Sequence, residues 1–278
     1  MGKKNGAVAF FDVDGTLVWH DYEKMRAMSA EERRELPPIK PSPAVYEAFS
    51  RMRAAGNLTF ICTGRHLPFI PQTIRDLNPD GFVAGAGAFV CVGDRVVRAE
   101  FIERDLLLET ARRFAAAGVD ITLEGDVDNV ELNPSGRPAH LPGSRLARTA
   151  EDAAELTVAH RYSKFCSNGV EERDLAPLRD FIDEHYTICD LQGGVLEFSM
   201  RGVDKGTGIE ATLACLGRGR EGTFAFGDSE NDLSMRAAVE TFVAMGNALP
   251  NVREVADYVT LTAAEDGVPA ALERFGLI

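Results

Sequence analysis

The first 85 residues alternate short apolar runs with helical patterns. Val8–Phe11 and Leu58–Cys62 are continuous apolar runs, which are typical of strands buried on both faces of a sheet. Between them, Ser42-Pro43 predicts a helix start, and hydrophobic residues follow at helical spacing. A second helical pattern near residues 70–77 leads to a third apolar run at 82–84. Strands that alternate with helices predict a parallel, doubly wound α/β sheet.

The pattern changes between residues 86 and 199. Short turns at Gly93-Asp94 and Gln192-Gly193-Gly194 separate apolar runs and predict β-hairpins. Two helical patterns and further strand-like runs accompany them, whereas 125–160 is rich in Pro, Gly, Asp and Arg and is interpreted as loop with some helix. Hairpins combined with helices predict an α+β domain with an antiparallel sheet.

After residue 200, strands and helices alternate again. The predicted fold is therefore α/β, with a Rossmann-like, doubly wound parallel-sheet core built from residues 1–85 and 200–278. An α+β cap domain, residues 86–199, is inserted between these two segments. Gly85, Gly87 and the run Met200-Arg201-Gly202 are predicted hinges between the two domains.

Composition excludes several classes of protein. The 278 residues include 30 Lys and Arg against 43 Asp and Glu, a net charge of −13 that argues against a nucleic-acid or membrane-surface binder. No apolar run is long enough for a membrane span, and the N-terminus lacks the pattern of a signal peptide. Five cysteines without a C-x-x-C pair predict reduced core thiols in a cytoplasmic protein.

Acidic residues follow two of the apolar runs. Asp12 and Asp14 come directly after Val8–Phe11, and Asp228 and Asp232 follow the run that ends at Phe226. Because the carboxyl ends of parallel strands face one edge of a sheet, these acids predict an oxygen-rich site for Mg²⁺. Two alternatives remain at this level: a D-x-D-G turn that only caps a strand, and an Asp232 that only caps a helix.

Two further features suit a phosphate group. Thr63-Gly64-Arg65 follows the strand at 58–62 and offers a hydroxyl and backbone N–H groups at a turn. Lys205 stands at a predicted helix start, where its charge opposes the helix dipole, so binding phosphate or an acid cluster would explain its position. A solvated lysine is the alternative.

Taken together, these motifs resemble those of the haloacid dehalogenase-like hydrolase superfamily. The four motifs in order are Asp12-Val13-Asp14-Gly15-Thr16, Thr63-Gly64-Arg65, Lys205, and Gly227-Asp228-Ser229-Glu230-Asn231-Asp232. The tail, with Met245-Gly246-Asn247-Ala248 and Glu265-Asp266-Gly267-Val268, is similar to the Cof-type sugar-phosphatase branch, whose class IIB cap lies between the second and third motifs. Many members carry Gly where Ser229 stands here.

The resemblance implies a role for each matching residue. Asp12 would be the nucleophile, Asp14 the general acid and base, and Lys205 a catalytic counter-charge. Thr63, Gly64, Arg65 and Asn231 would bind substrate phosphate. Mg²⁺ would be held by Asp12, by the carbonyl of Asp14 and by Asp228, with Asp232 orienting Lys205 or a metal-bound water.

These roles predict a Mg²⁺-dependent phosphatase that acts on a small phosphorylated metabolite, most simply a sugar phosphate, through a phosphoaspartate. The alternatives within the superfamily are a phosphomutase and a disaccharide-phosphate phosphatase. A response-regulator-like phosphoacceptor and a sugar-phosphate sensor that does not turn over are the alternatives from other classes.

Charge and length refine two further expectations. Residues 86–199 carry 12 basic and 21 acidic residues, so the cap is expected to read the neutral, hydroxyl-bearing part of a substrate and to reject polyanions. The charged loop 19–40 is interpreted as a solvated helix and loop; bordering the active-site entrance or forming an oligomer contact, such as that of a homodimer, are the alternatives.

Overall fold

The chain divides into two compact units. The computed structural model describes residues 6–19, 28, 39–139, 141, 143–191 and 194–278. One unit, the core, joins the described residues up to Ala99 to Asp204–Ile278, and the other, the insert, is Glu100–Val203. The run Glu31–Glu35 of the predicted charged loop lies outside the described residues, whereas Trp19 is described and exposed.

Strands and helices follow one another as a mixed α/β arrangement. The strands are β1 (Val8–Phe11), β2 (Leu58–Cys62), β3 (Gly81–Ala84), β4 (Phe89–Val92), β5 (Arg95–Ala99), β6 (Ile121–Gly125), β7 (Asn129–Leu132), β8 (Arg145–Ala147), β9 (Tyr162–Asn168), β10 (Tyr186–Asp190), β11 (Val195–Met200), β12 (Thr223–Gly227), β13 (Thr241–Ala244) and β14 (Tyr258–Val259). The α-helices are α1 (Pro43–Ala54), α2 (Gln72–Arg75), α3 (Arg104–Ala116), α4 (Ala150–Leu156), α5 (Arg179–His185), α6 (Lys205–Leu216), α7 (Met235–Ala238), α8 (Pro250–Val255) and α9 (Gly267–Arg274).

The core is a doubly wound sheet. Among the described residues, its strands lie in the order β14-β13-β12-β1-β2-β3-β4-β5. Neighbouring strands from β14 to β3 are parallel, whereas β4 pairs with β3 and with β5 in antiparallel fashion. All four residues of β1 are fully buried, because Ala9 and Phe11 pack on one face and Val8 and Phe10 on the other. The continuous apolar run of β1 therefore reflects its central place in the sheet.

Helices cover both faces of the core sheet. The predicted N-cap of α1 is confirmed, since the Ser42 hydroxyl accepts a hydrogen bond from the Val45 N–H at 3.3 Å. Phe49 of α1 and Ala271 of α9 bury against one face, and Ile209 of α6 and Met235 of α7 bury against the other. The core sheet is thus packed between helices on both of its faces.

The insert has its own sheet and core. Its strands have the order β10-β11-β9-β6-β7-β8, antiparallel except for the β7–β8 pair. Helices α3, α4 and α5 supply Phe114, Ala153 and Ile182 to an apolar cluster with the inward faces of these strands. The cluster includes a stack of Phe165 on Phe198, with ring centroids 4.5 Å apart.

The two-segment core with one insert matches the prediction, and the structure differs from the predicted organisation in three details. The insert begins at Glu100 and ends at Val203, rather than spanning 86–199, because the hairpin β4–β5 extends the core sheet through β3. The turn Gly85–Gly87 lies inside the core, so it is not a hinge between the units. The segment 125–160 holds β7 and β8 as well as α4, whereas loop with some helix was predicted.

A buried carboxylate explains why the apolar pattern does not predict β7. Glu131 is fully buried in this strand, where it accepts hydrogen bonds from the Leu141 N–H at 2.8 Å and from the Ser144 hydroxyl. A charged residue at a fully buried strand position breaks the apolar pattern on which strand prediction depends.

In the described residues, no helix combines the length and apolar character that crossing a bilayer requires.

Candidate active site

Three adjacent strands end at the predicted site. β1 lies between β12 and β2 in the sheet, and these strands are followed by Asp12, Asp228 and Thr63 respectively. The three residues are at most 5% exposed. The backbone continues the sheet contacts at this edge, since the Asp12 N–H donates to the Phe226 carbonyl at 3.0 Å. The carboxyl edge of the sheet therefore holds a buried polar cluster, as the sequence predicts.

Lys205 enters this cluster from the first position of α6. Its ammonium nitrogen Nζ lies 2.7 Å from Oδ1 of Asp12 and 2.6 Å from Oδ1 of Asp232, and the three side chains are buried. The neighbouring Asp204 caps α6 by accepting from the Thr207 N–H at 2.7 Å. The alternative of a solvated lysine is thereby excluded, because Lys205 is a buried partner of two carboxylates.

Three carboxylates gather at one point. Asp12, Asp228 and Asp232 each offer an oxygen, and these oxygens lie within 4.8 Å of one another. Burial, together with the charges of Asp232 and Asp14, raises the pKa of Asp12 to about 7 against the opposing effect of Lys205. Burial and then the charges of Asp12 and Asp232 raise the pKa of Asp228 well above its usual value. One ammonium does not balance three acids, so the oxygens suit a hard divalent cation.

The carboxylate of Asp232 is already engaged by the protein. Its Oδ1 accepts from Lys205, and its Oδ2 accepts from the N–H groups of Asp228 at 2.8 Å and Ser229 at 3.0 Å. Asp12 and Asp228 therefore have more acceptor capacity left toward a cation than Asp232 has. The position of Asp232 suits a residue that orients Lys205 and the loop after β12.

The turn after β1 requires a glycine. Gly15 has a φ of +88°, and a Cβ atom there would overlap the carboxylate of Asp228. The hydroxyl of Thr16 donates to Oδ1 of Asp228 at 3.3 Å. The two acidic loops thus contact each other directly, and the glycine permits that approach.

Arg65 pairs with Asp14. Its Nε lies 2.7 Å from Oδ2 of Asp14, and its Nη2 lies 2.8 Å from Oδ1, so the two planar groups form a bidentate ion pair. The two side chains are 34% and 30% exposed, in contrast to the buried Asp12 and Lys205. The hydroxyl of the buried Thr63 accepts from the Arg65 N–H at 3.2 Å, with Gly64 between them.

Asn231 belongs to the loop after β12. Its Oδ1 accepts from the Ser229 hydroxyl at 3.1 Å, and its carbonyl accepts from the Ser234 hydroxyl at 3.2 Å. Ser234 in turn accepts from the Gly206 N–H at 3.1 Å, which ties this loop to the start of α6. Asn231 therefore shares a hydrogen-bonded loop with the acids, whereas a role in binding substrate remains a prediction.

Sequence reasoning missed two links in the site. The first is the Arg65–Asp14 pair, since motif spacing does not show where a loop side chain points. The second is Asn247, whose Nδ2 donates to the Gly15 carbonyl at 2.8 Å and whose Oδ1 accepts from the Ala263 N–H at 2.8 Å. The sequence includes Asn247 only as one residue of the tail motif that resembles the Cof-type branch, and that motif is the sequence feature that could have pointed to its role.

Known proteins match this chain over nearly its full length. The model of the haloacid dehalogenase-like hydrolase family matches residues 9–272. The protein named "Putative phosphatase YkrA" of Bacillus subtilis is 27% identical over 280 residues, which cover 97% of each chain. The protein named "Putative phosphatase M6_Spy0533" of Streptococcus pyogenes serotype M6 is 35% identical over 288 residues, which cover 96% of this chain and 97% of that one.

Solved structures agree with the sequence relatives. The subclass IIB sugar phosphatase BT4131 of this superfamily has a TM-score of 0.79 and 26% identity, with 98% of this chain and 100% of that chain covered. The phosphatase BT1666 from Bacteroides thetaiotaomicron has a TM-score of 0.81 at 22% identity over 100% and 97% of the two chains, and so supports the fold. The chain belongs to the haloacid dehalogenase-like hydrolases, in the Cof-type branch with the subclass IIB fold.

Proposed function

We propose that this hydrolase is a Mg²⁺-dependent phosphatase of small phosphorylated metabolites, most simply sugar phosphates, and that Asp12 is its nucleophile. The chain is a phosphoric monoester hydrolase, since it belongs to the haloacid dehalogenase-like hydrolases and its relatives of matching length carry the name "Putative phosphatase". The observation that carries the finer proposal is the buried contact of Lys205 with Asp12, beside Asp228 and Asp232.

Asp12 suits nucleophilic attack on phosphorus. Its Oδ1 accepts from Lys205, which orients the carboxylate and leaves Oδ2 as the attacking atom. In the first step a bond forms between Oδ2 and phosphorus while the bond from phosphorus to the leaving oxygen breaks, in line. The positive charge of Lys205 offsets the negative charge that gathers on the phosphoryl oxygens. The product of this step is a phosphoaspartate.

Asp14 is assigned the proton transfers. It gives a proton to the leaving alkoxide in the first step. In the second step it takes a proton from the water that attacks phosphorus, and the bond between phosphorus and Asp12 breaks to release orthophosphate. Asp14 lies two residues after the nucleophile, and its side chain is partly exposed.

The remaining predicted residues are assigned to binding. Thr63, the backbone at Gly64, Arg65 and Asn231 would contact phosphoryl oxygens. Asp12, Asp228 and the carbonyl of Asp14 would hold Mg²⁺, with Asp232 orienting Lys205 or a water molecule on the metal. When bound, Mg²⁺ would supply positive charge that offsets the negative charge of the nucleophile and the phosphoryl group.

Substrate choice is assigned to the insert, because the family resemblance implies that the insert is a cap domain. We place this cap at Glu100–Val203, where the chain leaves the core sheet. A leaving group of a sugar phosphate carries hydroxyls, whereas a polyanion would meet the excess of acidic residues in this part of the chain.

Phosphate release tests the proposal. The purified protein is assayed against a panel of sugar monophosphates, other phosphomonoesters and disaccharide phosphates, with Mg²⁺ and with a chelator. We expect release of orthophosphate from at least one sugar phosphate, loss of release with chelator, and loss in Asp12→Asn. Transfer of phosphate to a second sugar hydroxyl instead of water would indicate a phosphomutase. Binding of sugar phosphates without release would indicate a sensor.

A further inference from the structure

Arg65 and Asp14 bind each other as a bidentate ion pair in this structure. Both guanidinium nitrogens that face Asp14 lie within 2.8 Å of its two carboxylate oxygens. The proton transfers proposed for Asp14 require one of those oxygens to face a leaving oxygen or a water molecule. A bidentate pair holds both oxygens toward the guanidinium, so the pair must open on at least one side before Asp14 can act.

The backbones on which the two side chains stand are fixed. The Arg65 N–H donates to the Thr63 hydroxyl at 3.2 Å, and the Arg65 carbonyl accepts from the Gly85 N–H at 2.8 Å. On the other side, the Gly15 carbonyl accepts from Asn247, and the Gly15 N–H donates to the Val18 carbonyl at 2.9 Å. Opening the pair is therefore a movement of side chains, since both loops are tied in place.

A phosphate group offers Arg65 an alternative partner. Guanidinium groups bind phosphate as they bind carboxylate, through two parallel N–H donors. Arg65 follows Thr63 at the strand end where the proposed function places the phosphoryl oxygens. The pair with Asp14 is about one-third exposed, so it contributes little free energy and is readily exchanged.

We propose that Arg65 is an exchangeable positioning residue: it holds the Asp14 carboxylate in the substrate-free enzyme and transfers its guanidinium to the phosphate of an arriving ester, which releases Asp14. This inference deepens the proposed function and rests on it. Binding of the substrate's phosphate to Arg65 thus frees Asp14 for proton transfer to the leaving oxygen. Until a phosphate group is present, Asp14 is held by a protein cation.

Binding of inorganic orthophosphate tests this exchange. Affinity is measured by isothermal titration calorimetry at one saturating Mg²⁺ concentration, for the wild type, Asp14→Asn, Arg65→Gln and the double variant. Circular dichroism confirms that each variant is folded. If Asp14 competes for Arg65, we expect Asp14→Asn to bind orthophosphate about fivefold more tightly than the wild type. In the Arg65→Gln background, the same change is expected to have an effect below twofold.

The double variant separates exchange from simple repulsion. Removing the charge of Asp14 also lowers its repulsion of an anion, but that effect does not depend on Arg65. Equal tightening in both backgrounds, or no tightening in either, overturns the inference. Arg65→Lys is expected to bind orthophosphate with intermediate affinity, because it keeps the charge and loses the second parallel donor.

Turnover by the wild type keeps the two proposals apart. If the wild type releases phosphate from the panel but the affinity changes are additive, the exchange is wrong and the proposed function stands. If the wild type neither binds orthophosphate nor releases it from any ester, both proposals fail.

Discussion

The ammonium group of Lys205 lies 2.7 Å from the carboxylate of Asp12, and both side chains are buried at the carboxyl edge of the core sheet. Burial lowers the pKa of Lys205, but the charges of Asp12 and Asp232 raise it more, so it stays well above its usual value. The lysine is therefore a permanent cation at the proposed nucleophile. Its position unites residues that are 193 apart in the sequence.

Replacing this lysine should abolish most turnover. We expect Lys205→Met to lower kcat at least about a hundredfold per folded molecule, because the charge that offsets the transferring phosphoryl group is lost. The variant is also expected to be less stable, since two acids lose their buried partner. Phosphate release, corrected for the folded fraction by circular dichroism, measures the effect.

A surface arginine is the matched control for Lys205. Arg236 pairs with Asp257 at 2.8 Å, and both side chains are about one-third exposed. Arg236→Met is expected to change stability by less than about 1 kcal/mol and kcat by less than twofold. If Lys205→Met kept more than a tenth of wild-type kcat, the role assigned to Lys205 would be wrong.

Gly15 separates the two acidic loops. A methyl group at Gly15 would overlap the Asp228 carboxylate, and the φ of +88° adds backbone strain. We expect Gly15→Ala to raise the Mg²⁺ concentration for half-maximal activity about tenfold or more, because Asp228 is displaced. Phosphate release as a function of Mg²⁺ concentration measures this change.

Gly56 provides a control with the same backbone strain. Its φ is +80°, and a Cβ atom there meets nothing within 4 Å among the described residues. Gly56→Ala should cost roughly 1 kcal/mol of stability and leave the Mg²⁺ dependence unchanged. An equal change of Mg²⁺ dependence in both variants would show that strain, and not the contact with Asp228, is responsible.

Asn247 ties the nucleophile loop to the segment after β14. Asn247→Ala removes the donor to the Gly15 carbonyl and the acceptor for the Ala263 N–H, so the loop that carries Asp12 and Asp14 is held less firmly. We expect kcat to fall about tenfold while the KM changes less than threefold. Asn251→Ala, which loses only an exposed contact with Glu230, should behave as the wild type. A pure KM effect would argue for substrate contact instead.

The apolar core of the insert contains a hydroxyl without a partner. Ser167 of β9 is fully buried, and among the described residues its Oγ has no hydrogen-bond partner. Ser167→Ala is expected to raise the free energy of unfolding by roughly 1 kcal/mol, because the unfolded chain no longer gains by hydrating that group. Ser163→Ala, at a buried position that has a partner, should destabilise the protein instead. Urea denaturation of the two variants measures both changes, and a loss of stability in Ser167→Ala would contradict the prediction.

The sequence predicts a site residue well when the end of a strand or the start of a helix places it, and poorly when the direction of a loop side chain places it. Asp12 and Asp228 were predicted to converge because strand ends are readable from apolar patterns, whereas the place of Lys205 beside them was implied by the family resemblance. Arg65 was predicted to bind substrate phosphate, but its pairing with Asp14 was not, because the direction of an exposed loop side chain leaves no periodic trace.

The fold shows the same division. The central strands of the core were predicted because both of their faces are apolar. β7 was not, because it contains the buried Glu131, and the contacts of that carboxylate with Leu141 and Ser144, ten or more residues further along the chain, leave no trace in the apolar pattern. The end of the core sheet was misplaced because β4 and β5 continue the sheet in antiparallel fashion, and a hairpin pattern does not show which sheet it joins.

The pairing of β1 with β12 has a consequence for synthesis on the ribosome. β1 is made first, but its partner on one side, Thr223–Gly227, is made only after the whole insert. The insert is one contiguous stretch and can fold as soon as it emerges, whereas the edge of β1 that faces β12 must wait for more than a hundred further residues. This buried apolar strand is thus a segment of the nascent chain that needs protection from aggregation until β12 has been made.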